Sequence, residues 1–278
     1  MIITVASGKG GTGKTSVAVN LAFSVKNVQL LDCDVEEPNA HVLSHPILRK
    51  TEPVYSNVPV VDYELCDYCG ACARACQYNA IFATPQKILI FPDLCHNCGG
   101  CALVCPKKAL TWEKHQIGTL TFGSVDEFEL IYGSLQVGKP LAIPIIKAVK
   151  SHMDLSRNVI IDSPPGTSCS FVETVRGSNF CLLVTEPTPF GLHDLKIAVQ
   201  VLRAMGLRFG VVVNRAGLGD NKVYDYCRDE RIPLLLEIPY QRQIAELYSK
   251  GIPFSFEMPQ WKEKFQVLYK KIVELAEK

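Results

Sequence analysis

The sequence predicts an α/β fold: a mostly parallel sheet flanked by helices, interrupted once by a small α+β insert. Three observations carry this. A β-branched run, "MIITVA", leads into the glycine loop "SGKGGTGKTS" and then into a segment with Ala18, Leu21, Ala22 and Val25 at helical spacing. Later apolar runs ending in turn residues alternate with helical stripes through residues 115–278. Between these parts, eight of the twelve cysteines fall within residues 66–105.

A chain of 278 residues is enough for one large domain or two smaller ones. A net charge of +1 gives no strong pull toward nucleic acid or a membrane surface, and neither partner is expected. No apolar run reaches membrane-spanning length, and Met1 leads straight into a core strand, so a cytoplasmic protein without a leader is expected. In that reducing compartment, twelve cysteines point to metal rather than to disulfides.

The loop fits G-x-x-x-x-G-K-[ST] with Gly8, Gly13, Lys14 and Thr15. Strand, loop and helix in this order are the working part of a P-loop NTPase, aiming backbone N–H groups at phosphate oxygens. Gly10, Gly11, Thr12 and Ser16 complete the expected cradle. Lys14 is expected at the β- and γ-phosphates, with the Thr15 hydroxyl on Mg²⁺. A second lysine, Lys9, is not explained by a single site.

Two runs, "CDYCGACARACQYNAI" from Cys66 and "CHNCGGCALVCPKKAL" from Cys95, align at an offset of 29 residues. Each reads C-x2-C-x2-C-x3-C, the spacing of bacterial ferredoxins. Three closely spaced thiolates suit three corners of a cubane, and the fourth cysteine serves the other cluster. Cys66, Cys69, Cys72 and Cys105 are therefore assigned to one [4Fe–4S] cluster, and Cys95, Cys98, Cys101 and Cys76 to the other. A zinc ribbon, usually built from two C-x2-C pairs, is the weaker metal reading. Gln77 stands where Pro106 follows the other fourth cysteine. The insert is expected as a ferredoxin-like domain at 61–114, with "QKILIFPD" supplying a strand and "LTWEKHQ" leading out. The nucleotide domain then comprises 1–60 and 115–278.

On either side lie further strand ends. "NVQLLDCDVEEPN" ends in Asp32 and Asp34, with Glu36 and Glu37 exposed. "NVIIDSPPGTS" ends at Asp162, expected to serve Mg²⁺ from its outer sphere, and Gly166 is free to approach the γ-phosphate. "NFCLLVTEPTP" ends at Glu186, "RFGVVVNRAG" at Asn214 and Arg215, and "PLLLEIPY" at Pro239. Cys33, Cys169, Cys181 and Cys227 read as core residues. Leu195, Ala198, Val199 and Leu202 form one helical core stripe, and Trp261, Phe265, Leu268, Ile272 and Leu275 another.

The pattern K-G-G-T-G-K-T closely resembles the deviant phosphate loop of the MinD, ParA and Mrp-like ATPases, a family that includes the nitrogenase iron protein. The resemblance covers nearly the whole chain and is closest to a MinD-superfamily ATPase with an inserted ferredoxin domain. It implies ATP with Mg²⁺, partner-stimulated hydrolysis to ADP and phosphate, and a homodimer closing around two ATP molecules, with Lys9 crossing the interface to the partner's phosphates. It also implies that Asp34 orients the attacking water, that Asp32 lies near the metal, and that Asn214, Arg215 and Pro239 lie against the base. The leading functional expectation is ATP-driven closure coupled to electron transfer with a redox partner. The alternatives are a carrier delivering iron–sulfur or metal cofactors to an apoprotein, and a ParA-type positioning ATPase with structural clusters.

Overall fold

The computed structural model describes residues 1–125 and 128–277. Its strands are β1 (Ile2–Ala6), β2 (Val28–Asp32), β3 (Ile47–Val61), β4 (Ile81–Ala83), β5 (Ile88–Ile90), β6 (Leu110–Val125), β7 (Phe128–Leu135), β8 (Asn158–Asp162), β9 (Phe180–Thr185), β10 (Phe209–Ala216) and β11 (Leu234–Pro239). The helices are α1 (Lys14–Ser24), α2 (Ala40–Ser44), α3 (Ala71–Ala75), α4 (Gly100–Leu103), α5 (Ile143–Lys150), α6 (Cys169–Val175), α7 (Pro189–Ala204), α8 (Lys222–Asp229), α9 (Arg242–Ser249), α10 (Phe254–Glu257) and α11 (Pro259–Glu277).

Nine strands form one sheet in the order β11-β10-β9-β1-β8-β2-β7-β6-β3. The seven from β11 to β7 run parallel. Their apolar side chains alternate between faces, which is why these strands read as nearly continuous hydrophobic runs. Ile3, Val5, Leu30 and Ile160 pack with α1 and α11 on one face. Val159, Ile161 and Leu31 meet α5, and Leu183, Val211 and Val213 meet α6, α7 and α8, on the other. Both expected helical stripes lie in these cores, with Leu275 partly buried at the margin.

The last two strands were not legible as such. β6 runs antiparallel to β7, and β3 antiparallel to β6, making β3 the sheet edge. Pro53 and Pro59 obscure β3 in the sequence; an edge strand tolerates them because one side of it needs no ladder donors. The ladder runs without a break from Val54–Gly118 to Val61–Leu110 apart from one bulge at Ile117. Residues 110–114, read as the exit from the insert, are therefore strand.

This ribbon fixes the position of the cysteine segment. Asp32 pairs with Tyr132, and Tyr132 with Thr121. Leu110 lies eleven positions further along β6 (121 to 110), about 36 Å at the usual strand rise. Residues 62–109 thus hang beyond the carboxyl ends of the parallel strands, the side that carries the phosphate loop. They fold as a β4–β5 hairpin with two short helices. The 29-residue repeat extends to backbone conformation. Positive φ recurs at Tyr68 and Asn97, Gly70 and Gly99, and Asn79 and Lys108. The amides of Ala80 and Ala109 each donate to a cysteine sulfur, Cys76 and Cys105, at 3.3 Å. Gln77 leaves that turn unchanged.

Phe265 on α11 is fully buried and lies 5.8 Å, centroid to centroid, from Phe254. Phe265→Ala should lower unfolding stability by about 3–5 kcal/mol, measured by denaturant titration.

Candidate active site and cysteine cavities

Four strand ends and one loop converge at the carboxyl edge of the sheet. Gly13 opens α1 in the left-handed region (φ 88°), and a β-carbon there would lie 2.3 Å from Asn214 Nδ2. Gly8 is equally constrained, its missing β-carbon falling 2.4 Å from the Asp194 carbonyl oxygen. Gly10, Gly11 and Gly166 face open space instead. Gly166 donates its N–H to Ser7 O (3.1 Å), which brings the turn after β8 against the loop. The Thr12 hydroxyl is buried with no partner among the described residues, the state expected of a group awaiting a phosphate oxygen. Ser16 sits in the first turn of α1, within 3.4 Å of Asn20 Nδ2.

Lys14 is buried, and its ammonium donates to Asp34 Oδ2 at 2.7 Å and stands 3.9 Å from Asp162 Oδ1. Burial by itself would lower the Lys14 pKa, but Asp162, Asp34 and Asp32 outweigh it and hold it above the ordinary lysine value. The three carboxylates differ in how they are satisfied. Asp32 accepts the N–H groups of Asp34, Asn39 and Ala40, all at 3.0 Å, so it anchors the segment leading into α2. Asp34 has Lys14. Neither oxygen of Asp162 has a hydrogen-bond partner among the described residues. The Thr15 hydroxyl is close enough to favour its charged form. Burial pushes Asp162 up to about 6 against the pull of Lys14, and burial with the Asp162 charge pushes Asp32 up to about 8. A buried carboxylate with two free oxygens beside a threonine hydroxyl fits an Mg²⁺ site.

Lys9 does not reach into this site. Its ammonium pairs with Glu186 Oε2 at 3.3 Å, and Arg215 Nη1 takes the other carboxylate oxygen at 2.6 Å. Glu186 was legible only as a strand end; its role as a common holder for two cations comes from the fold. Asn214, expected at the base, donates Nδ2 to Thr12 O (2.8 Å) and accepts the Arg215 N–H (2.9 Å), bracing the loop. Pro239 closes β11 opposite Ala216. Cys33, Cys181 and Cys227 are buried as expected, whereas Cys169 is exposed, because it opens α6 beside the Gly166 turn.

At the ribbon tip the eight cysteines divide between two cavities. Cys66, Cys69, Cys72 and Cys105 line one, walled by Val61, Ile88, Ala109 and Leu110. Cys76, Cys95, Cys98 and Cys101 line another, walled by Tyr78, His96, Ile81 and Trp112. Among the described residues no three Cys, His, Asp or Glu side chains converge on a point that one metal ion could occupy. Thiolates spaced around a cavity, with amides aimed at the sulfurs, fit a four-iron cubane better than zinc. His96 stacks on Tyr78 (centroids 3.7 Å apart).

The family of CobQ/CobB/MinD/ParA nucleotide binding domains matches residues 3–254, and the chain belongs to it. The uncharacterized protein MJ0579 of Methanocaldococcus jannaschii is 32% identical over 263 residues, 91% of each chain. The iron-sulfur cluster carrier protein of the same organism is 23% identical, covering 99% of this chain and 84% of its own. The cell division ATPase MinD of Pyrococcus furiosus superposes with a TM-score of 0.60 at 22% identity, over 99% of this chain and 98% of that one, and shares the fold. No helix among the described residues is long and apolar enough to cross a membrane.

The Asp162 environment predicts a pH effect. Its folded pKa lies above the unfolded value near 4, so the stability it contributes is present below pH 4 and is lost as pH rises through about 6. In metal- and nucleotide-free protein, Asp162→Asn should raise the unfolding free energy from denaturant titration at pH 8 by about 1–3 kcal/mol and change it little at pH 4. The same substitution should weaken Mg²⁺-dependent nucleotide binding, read by titration calorimetry.

Proposed function

We propose that the chain is an Mg²⁺-dependent ATPase, acting as a homodimer, whose nucleotide state is coupled to two resident [4Fe–4S] centres that serve electron transfer. One observation carries the reading: each cavity is lined by four cysteines of this chain, on a ribbon leaving the sheet at its nucleotide-facing edge. Cys66, Cys69, Cys72 and Cys105 would hold one cluster, and Cys76, Cys95, Cys98 and Cys101 the other. A cubane held this way supplies a one-electron couple. Four cysteines from the same chain make a site suited to retaining its cluster. On this reading the ferredoxin-like unit lies at the ribbon tip, within 61–114, and the ATPase domain comprises 1–60 and 115–278.

At the nucleotide site, the amides of Gly8 to Ser16 cradle the phosphates and Thr15 with Asp162 holds Mg²⁺. The Lys14 ammonium lies on Asp34 at 2.7 Å, and a γ-phosphate competes with that carboxylate for it. Phosphate binding therefore draws Lys14 away and frees Asp34 to orient the attacking water. Gly166 senses the γ-phosphate, while Asn214, Arg215 and Pro239 line the base end. Lys9 acts in trans once it leaves Glu186, neutralising the partner's phosphates as the dimer closes. The proposed setting is cytoplasmic, with a redox protein as partner.

The similarity to an iron-sulfur cluster carrier protein over 99% of this chain favours a second reading, delivery of a cluster to an apoprotein. Anaerobic purification followed by incubation with an apo-ferredoxin separates the two. Electron transfer predicts about eight irons and eight sulfides per chain, retained through ATP turnover. Iron passing to the acceptor in step with ATP hydrolysis supports the carrier, and protein that takes up zinc but no iron on reconstitution overturns both. Lys14→Ala should lose tight nucleotide binding. Lys9→Ala should keep it yet fail to dimerise in sedimentation with a non-hydrolysable analogue, and normal dimerisation by that variant contradicts the trans role.

A further inference from the structure

The two cysteine runs share spacing and backbone conformation, but only one is tied to the ATPase body by a side chain at its entrance. Asp93, in a single 3-10 turn at Pro92–Leu94, is the residue two before Cys95, whose N–H bonds to Pro92 O (3.1 Å). The Asp93 carboxylate accepts a hydrogen bond from the Lys139 ammonium, which also donates to His115 Nε2 at 2.7 Å. Lys139 is largely buried there (13% exposed). The equivalent of Asp93 in the other run, 29 residues earlier, is Glu64, an exposed residue with no ion pair among the described residues.

Lys139 sits on the loop that leaves β7, and that loop leads to the nucleotide site by short steps. The N–H of Leu135, the last residue of β7, donates to Val35 O at 2.7 Å, and Val35 follows Asp34. The next amide, Gln136, donates to Ile117 O at 2.9 Å. Ile117 is the bulged residue of β6, without a partner on β3, where the ribbon departs from the sheet. One short loop thus grips the segment beside Asp34, the base of the ribbon, and the entrance to the Cys95 run. Gly118 and Gly133 permit this close packing: β-carbons there would fall 2.3 Å from Ser134 O and 2.6 Å from Ile145 Cγ2.

Resting on the reading that residues 62–109 hold clusters and that phosphate draws Lys14 from Asp34, we propose that Lys139 is a positioning residue. It forms a strut that conveys movement of the Asp34–Val35 segment to the Cys95 run, and so to the cluster cavity of Cys76, Cys95, Cys98 and Cys101, leaving the Cys66 run largely unaffected. A two-stranded ribbon is weakly stable by itself, so a second point of attachment governs how its tip moves. The strut supplies that attachment, and its route carries a biasable element, the Lys14–Asp34 pair, at one end.

Amide hydrogen exchange on reconstituted protein tests this, with and without Mg²⁺ and a non-hydrolysable ATP analogue. In wild type, nucleotide should change exchange in peptides covering 92–101 by about fivefold or more, the lower range for allosteric coupling, with a smaller change over 63–72. Lys139→Ala should bind nucleotide and retain iron like wild type but lose the response at 92–101, and Lys139→Arg should restore it. Asp93→Asn should reduce the response, because the ammonium keeps an acceptor but loses the opposing charge. A wild-type response in Lys139→Ala, or none at 92–101 in nucleotide-saturated wild type, overturns the strut. Absence of iron after reconstitution instead fails the cluster reading, which the iron assay reports separately.

Discussion

One ammonium among three carboxylates governs the nucleotide site. Lys14 lies at the carboxyl ends of β2 and β8, where Asp32, Asp34 and Asp162 are all buried. A buried charge is tolerated only when paired or hydrogen-bonded. Asp32 meets that requirement through three backbone amides and Asp34 through Lys14, which leaves Asp162 short of a partner. This arrangement leaves an electrostatic deficit that a divalent cation would relieve. It also holds, on Asp34, the lysine proposed to meet the phosphates. On that proposal, ligand binding disturbs the segment around Asp34.

What that disturbance can reach is set by the sheet. Because β6 and β3 turn back antiparallel at the sheet edge, the cysteine segment lies on the nucleotide side, from about 20 Å along the strand direction from Asp32 where Asp93 meets His115 to about 36 Å at Leu110. At that separation even a divalent charge is screened in water at ordinary ionic strength. Coupling between the two sites has to be mechanical, through the ribbon and the contacts at its base. The bulge at Ile117 and the loop from Gln136 to Lys139 are where the ribbon and the body meet, so stiffness there matters more than any single contact at the tip.

Much of this was legible in the sequence, for identifiable reasons. The phosphate loop needs particular glycines because backbone approaches where side chains would clash, as at Gly8 and Gly13. The parallel strands are covered on both faces and so read as apolar runs. The spacing of the cysteines foretold which of them share a cavity, because each run brings three sulfurs together and the offset of 29 residues brings the fourth. What escaped notice depends on tertiary geometry. β3 carries two prolines and exposed polar residues that only an edge strand accepts. Glu186 gathers Lys9 and Arg215 from two distant segments, and Lys139 meets Asp93 and His115 across 46 and 24 residues. Asn214 faces the loop backbone because Gly13 leaves it room, which no local pattern announces.

The central claim is that the nucleotide's state is felt at the cysteine cavities. An anaerobic redox titration of the reconstituted protein, followed by electron paramagnetic resonance with and without Mg²⁺ and a non-hydrolysable ATP analogue, tests it most directly. The account predicts that saturating nucleotide shifts the midpoint of at least one cluster. Superimposable titrations of nucleotide-saturated and nucleotide-free protein would contradict it.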